Sequence, residues 1–173
     1  MLERGDLAGT SAILREMEES VSIGGAPRAL YHVLSLLDGF VRKDHKAIAA
    51  SADNLAKGME RTGVRLFVVD LALARATLTW AADRQRAYAE AQAVMEQVAA
   101  TGARIGHLRM ALHLAQLLSA DGEDDEAANI LKSALAPLDP AELAGSPIFE
   151  RACEALHRPE IDALQPPARQ GAA

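Results

Sequence analysis

The chain is 173 residues long, enough for one domain or one short repeat array. Ala (36 residues) and Leu (23 residues) fill about a third of it, against six aromatic residues, a mixture that favours helices over strands. Half the residues are hydrophobic, which excludes a disordered chain, and a net charge of −6 disfavours direct binding to nucleic acid. Arg28, Arg42, Lys43 and Lys46 are too sparse among acids to make a basic face.

Apolar residues recur at helical spacing in seven or eight segments, near 7–21, 27–42, 45–61, 65–82, 84–100, 104–120, 124–136 and 147–157. The first, within residues 2–21, reads as the second helix of a pair whose first helix is lacking. Pro27 is suited to opening the next, where its missing N–H costs nothing, and no proline follows until Pro137. Gly24-Gly25, Thr62-Gly63 and Thr101-Gly102 stand just past three of the segments, where helices stop on glycine. The last segment carries Ile148, Phe149, Ala152, Cys153 and Leu156 on one face and is expected to cap the final pair. Residues 1–157 thus read as one repeat domain and 158–173, with three prolines, as a flexible tail.

The segments repeat. Gly24, Gly63 and Gly102 are separated by 39 residues each time, and Thr62-Gly63-Val64-Arg65 returns as Thr101-Gly102-Ala103-Arg104. Without a gap, Leu30, Val69 and Leu108 correspond, as do Val33, Ala72 and Ala111, then Leu34, Leu73 and Leu112, then Leu37, Ala76 and Ala115. The partner helices echo this more loosely through Asp6–Ala8, Asp44–Ala47, Asp83–Ala87 and Gly122–Ala127, drifting by one residue. A helix hairpin cannot bury both of its faces alone, so stacked hairpins are expected. The expected fold is all-α, a right-handed superhelical stack of antiparallel helix pairs, with small residues such as Ala72, Ala76, Ala111, Ala115 and Ala127 at the close contacts.

Ala111-x-x-Leu114-Ala115-x-x-Leu118, then Gly122, then Ala127-x-x-x-Leu131-x-x-Ala134 and Pro137 or Pro140, resembles a tetratricopeptide repeat. Leu114-Ala115 stands at the family's large–small pair, Gly122 at its turn glycine, and Ala127 and Ala134 at its small positions. Ala111, Leu118 and Leu131 depart from it where the family favours aromatics, and the period is 39 rather than 34. The phrase from Ala111 to Ala128 is also similar to the C-terminal repeats of bacterial ATPase-linked adenylate cyclases and MalT-like regulators. That resemblance implies a sensory or regulatory array beside a nucleotide-binding switch domain.

Motifs for chemistry are scarce. There is no G-x-x-x-x-G-K loop, and no G-x-G-x-x-G opens a helix. His32, His45, His107, His113 and His157 never pair at i, i+4, and a single cysteine, Cys153, removes both an internal disulfide and thiolate zinc sites. Cys153 itself reads as a small apolar residue of the last helix. Asp121 to Glu126 lacks the ligand alternation of a calcium loop and reads as acid at a helix N-terminus. No nucleophile–base pair stands out, so neither catalysis, a cofactor nor a metal is expected. No run reaches the ~18–20 apolar residues of a membrane span, and the first residues lack a signal peptide's basic and apolar regions, so a cytoplasmic protein is expected.

The resemblance implies a concave face lined by the first helix of each pair. Carried across at the 39-residue offset, it exposes Arg109, His113 and Gln116, then Asp70, Thr77 and Trp80, then Tyr31, Ser35, Asp38 and Arg42. These polar and aromatic positions suit a protein or peptide partner. Trp80 reads rather more readily as core than as a groove anchor, and Asp70 with Arg109 equally as an inter-repeat ion pair. The leading expectation is a non-catalytic partner-binding module of a larger bacterial signalling protein. The alternatives are a free-standing adaptor or chaperone-like scaffold, and a dimerisation element using Phe40, Phe67 or Phe149.

Overall fold

The computed structural model describes residues 13, 14, 17, 26–62, 67–141, 143 and 145–156. Their regular structure is entirely helical: α1 (Ala26–Arg42), α2 (His45–Thr62), α3 (Val68–Trp80), α4 (Arg84–Ala100), α5 (Arg104–Ala120), α6 (Asp124–Leu135) and α7 (Pro147–Leu156). Residues 13, 14 and 17, from the expected first helix, are helical as well. The rest of that segment, the glycines at 24, 25 and 63, and the tail from 158 lie outside the described residues.

The turns account for the helix boundaries. Three helices end in the same backbone motif, in which one residue enters the left-handed region and two N–H groups reach back to orphaned carbonyls. At the end of α5, Gly122 (φ +82°) donates to Ser119 O at 3.0 Å and Glu123 N to Leu118 O at 3.0 Å. At the end of α4, Gly102 (φ +74°) donates to Ala99 O at 3.0 Å and Ala103 N to Val98 O at 3.3 Å. The end of α1 is built alike, with Lys43 N to Phe40 O at 3.2 Å and Asp44 N to Gly39 O at 2.9 Å, but here the left-handed residue is Lys43 (φ 56°). The α3–α4 turn differs. Ala82 and Asp83 both donate to Thr79 O, so α3 ends at Trp80, two residues earlier than the apolar pattern alone suggests.

Aspartates open two of the following helices. Asp44 Oδ1 accepts from the backbone of Lys46 and Ala47 at 3.0 and 3.1 Å, and Asp83 Oδ1 accepts from Arg86 N at 3.0 Å. These are side-chain N-caps, and they explain the loose Asp44/Asp83 echo in the sequence. No such cap is made at Glu123; Asp124, Asp125 and Glu126 instead place negative charge in the first turn of α6.

The chain divides into two compact units, Met1–Val94 and Met95–Ala173, with the division inside α4. In the first unit α1 packs on α2, and α3 packs on both. Val33, Leu36, Ile48, Ala52, Leu55, Leu71 and Ala74 form its core, with Leu37, Phe40, Met59, Phe67 and Leu78 packed against it. Phe40 and Phe67, both half-buried, pack against this core. Gly39 admits a close approach between helices, since a Cβ there would stand 2.9 Å from Ile48 Cγ1. In the second unit α5 packs on α6, and α7 covers both through Ile148, Ala152 and Leu156.

Burial follows the 39-residue offset at some positions and departs from it at others. Val33, Ala72 and Ala111 are all buried, as are Leu73 with Leu112 and Ala76 with Ala115. The first-helix equivalents of the last two sets, Leu34 and Leu37, are only half-buried, and the fourth set differs throughout: Leu108 is fully buried, Val69 half-buried and Leu30 46% exposed. Helices α3 and α5 bury residues over an arc wider than the single stripe of a surface helix, Arg75 being the one exposed side chain of α3.

Candidate functional site

The first unit carries an open groove of about 520 Å³ between α3 and α4. Val68, Leu71, Ala72, Ala76, Ala91 and Val94 give it an apolar lining, and Thr79, Arg75, Arg86 and Glu90 add polar groups. Four of its lining residues are alanines, Ala72 and Ala76 on α3 and Ala91 and Ala93 on α4, of which all but Ala93 are buried. Along α4, Arg86 Nε donates to Glu90 Oε1 at 2.8 Å, one turn away, and this bond raises the Arg86 pKa further. Arg75 makes no ion pair among the described residues.

The residues expected on a concave face fall into three groups. Tyr31, Ser35, Asp38 and Arg42 lie on one face of α1, and the structure brings the last two together: Arg42 Nε donates to Asp38 Oδ2 at 2.7 Å. The other carboxylate oxygen, Asp38 Oδ1, is buried without a partner. Tyr31 meets His32 edge to face, with ring centroids 5.4 Å apart. On α3, Asp70 is 5% exposed and Trp80 8% exposed, so both are buried. Thr77 Oγ1 donates to Leu73 O at 3.0 Å, and the Arg84 guanidinium lies 5.6 Å from the centroid of the Trp80 ring. On α5, Arg109 and His113 are half-buried and Gln116 is exposed.

Helical spacing separates the groove from the expected face. Asp70 and Thr77 are seven apart and share one side of α3; Val68, Ala72, Arg75 and Thr79 lie on the opposite side, toward α4. In the sequence the lining alanines, Ala72, Ala76, Ala91 and Ala93, are not distinguishable from ordinary helix-forming alanine.

The second unit has a cleft of about 480 Å³ lined by Ala115, Gln116 and Ser119 of α5, Asp124, Ala127, Ala128 and Leu131 of α6, and Ala155 and Leu156 of α7. The loop from Asp121 to Glu126 forms a separate, acid-lined concavity. Among the described residues no group of three or more His, Cys, Asp or Glu side chains is placed to hold a metal ion. None of the described helices is long and apolar enough to cross a membrane.

Burial is the largest cause of three further shifts. It lowers the pKa of His32, to which Arg28 adds, and also that of His107; it raises that of the Cys153 thiol. His32 Nε2 is buried without a hydrogen-bond partner. A thiol shifted upward is a poor nucleophile at neutral pH, in keeping with Cys153 as a small apolar residue of α7.

Comparison with protein-family models, with curated proteins and with solved structures finds no match.

Proposed function

We propose that this chain is a non-catalytic helical-repeat module that binds a protein or peptide, serving as a sensory or regulatory part of a larger bacterial signalling protein inside the cell. The observation that carries this reading is the agreement between the 39-residue sequence offset and burial at Val33, Ala72 and Ala111 and at Ala76 and Ala115. A repeat of helix hairpins with small residues at equivalent buried positions is the construction of arrays that work by surface contact. The tetratricopeptide resemblance of residues 111–134 points the same way. Partner contact is assigned to the polar side of α1, with Tyr31, Ser35, Asp38 and Arg42, and to Thr77, Arg109, His113 and Gln116. Asp70 and Trp80, being buried, serve in this reading as supports for that surface.

The test is crosslinking of the intact native protein in its source cells, followed by purification and peptide mapping. Crosslinks from another protein, or from another domain of the same chain, to α1, α3 or α5 are the expected result. A native protein that turns over a small molecule and yields no crosslinked partner would overturn the reading.

A further inference from the structure

We infer that the apolar stripe of α1, formed by Leu30, Leu34, Leu37 and Val41, is the docking site for one short amphipathic helix of a partner protein. This rests on the reading of the chain as a partner-binding module, and it puts the apolar anchor of that contact beside the polar positions Tyr31, Asp38 and Arg42.

The stripe offers apolar surface. Leu30 is 46% and Val41 42% exposed, and Leu34 and Leu37 between them are half-buried. Leu37 packs partly against the core of the first unit, so the stripe is anchored near its middle and open at both ends. The four residues recur 4, 3 and 4 positions apart, the spacing of a seam between two helices. From Leu30 to Val41 the stripe is about 16 Å long at 1.5 Å per residue, or three helical turns.

The repeat indicates what belongs there. One 39-residue offset along the chain, Leu73, Ala76 and Trp80 are buried and Val69 is half-buried. Two offsets along, Leu108, Leu112 and Ala115 are buried, and Ser119, the equivalent of Val41, is exposed but polar. In the second unit a helix comes against this face: α7 packs on α5, and its Leu156 lines a cleft with Ala115 and Ser119. The equivalent face of α1 carries larger apolar residues and presents two of them to solvent. An extended peptide would find no main-chain partners there, because the N–H and C=O groups of α1 are paired along the helix, whereas a helical occupant brings its own backbone bonds satisfied.

Size decides between a single helix and a second copy. A strip about 16 Å long on a helix about 10–12 Å across falls far below the ~800 Å² per partner of a stable subunit interface. It suits one helix of three or four turns.

The test uses the isotope-labelled full chain and two capped synthetic peptides of about four turns, built from Ala, Glu, Lys and Leu. In one the leucines form a single stripe; in the other the same residues are reordered so that the leucines surround the helix. The stripe peptide is expected to move the signals of Leu30, Leu34, Leu37 and Val41 and to bind about ten-fold more tightly than the reordered one. Leu30→Glu combined with Val41→Glu, exposed changes whose folding is checked by circular dichroism, should weaken its binding by about ten-fold. Equal binding of the two peptides, unchanged binding in the double variant, or movement confined to other helices overturns the inference. So does the failure of both peptides to bind. Movement of the stripe signals with protein concentration alone would make a second copy the occupant and overturn it too. If crosslinked partners are still recovered on α3 or α5 of the native protein, the stripe is rejected and the module reading stands.

Discussion

Gly39 and Ile48 touch so closely that no side chain fits between them: a Cβ built on Gly39 would lie 2.9 Å from Ile48 Cγ1 and 3.3 Å from Ile48 N. Ile48 is 1% exposed and belongs to the core of the first unit, so it has little freedom to withdraw. Glycine inside a helix costs about 1 kcal/mol relative to alanine, and here the cost accompanies the close crossing of α1 and α2. Gly39→Leu is expected to destabilise the first unit by about 1–3 kcal/mol, the range for overpacking a filled core. Urea denaturation checks it, and an unchanged midpoint would remove Gly39 from the crossing.

The three left-handed helix stops are not equally suited to their residues. A side chain at positive φ costs roughly 1–2 kcal/mol, which Gly102 and Gly122 avoid and Lys43 bears. Lys43→Gly should therefore raise stability by about 1 kcal/mol, and Gly122→Ala should lower it by a similar amount. The two substitutions moving the melting temperature in the same direction would contradict this account.

Asp44 and Asp83 each accept backbone N–H groups at the start of a helix. Replacing either with alanine is expected to cost about 1 kcal/mol, while Asp→Asn or Asp→Ser at the same position retains most of the stability. Glu123 makes no such bond, so Glu123→Ala should change little by comparison.

In the second unit, Ala111 is fully buried and Ala115 borders the cleft shared with α6 and α7. Ala111→Phe is expected to cost about 1–3 kcal/mol by overpacking, and Ala115→Phe less, because the cleft receives part of the ring. Equilibrium denaturation of the two variants side by side tests the order of the effects.

Acid should weaken the fold through its histidines. In the unfolded chain His32 and His107 protonate near 6.5, whereas burial lowers both values in the folded protein. Below that pH the unfolded chain binds protons that the folded chain refuses, so stability falls until the folded values are reached. The melting temperature should drop as the pH falls through about 6.5, and less steeply in His32→Gln. A parent and variant with superimposable pH profiles would show that His32 contributes nothing to the loss.

Most of the fold was legible because helix formation here is governed by local signals. Pro27, Gly102, Gly122 and the caps Asp44 and Asp83 act within a turn of their own position, and the apolar spacing of α1, α2 and α6 leaves little choice of register. The end of α3 was less legible, because Ala81 and Ala82 continue the apolar pattern into a turn fixed by Thr79 O. Candidate binding positions were legible only in part. Spacing brought Asp38 and Arg42 onto one face, and they do meet. The burial of Asp70 and Trp80 depends on neighbours distant in sequence, and so does the groove on the opposite side of α3. An alanine that lines an open groove and one that fills a core are the same letter.

The placement of the aromatic rings has an optical consequence. The only tryptophan, Trp80, and both tyrosines, Tyr31 and Tyr88, belong to the first unit, while of Phe, Tyr and Trp the second holds Phe149 alone. Intrinsic fluorescence therefore watches Met1–Val94 and is nearly blind to the remainder, whereas far-ultraviolet circular dichroism weighs every helix. Superimposed melting curves from the two signals would mean one cooperative transition. A gap between them would measure, without any label, how independently the second unit unfolds.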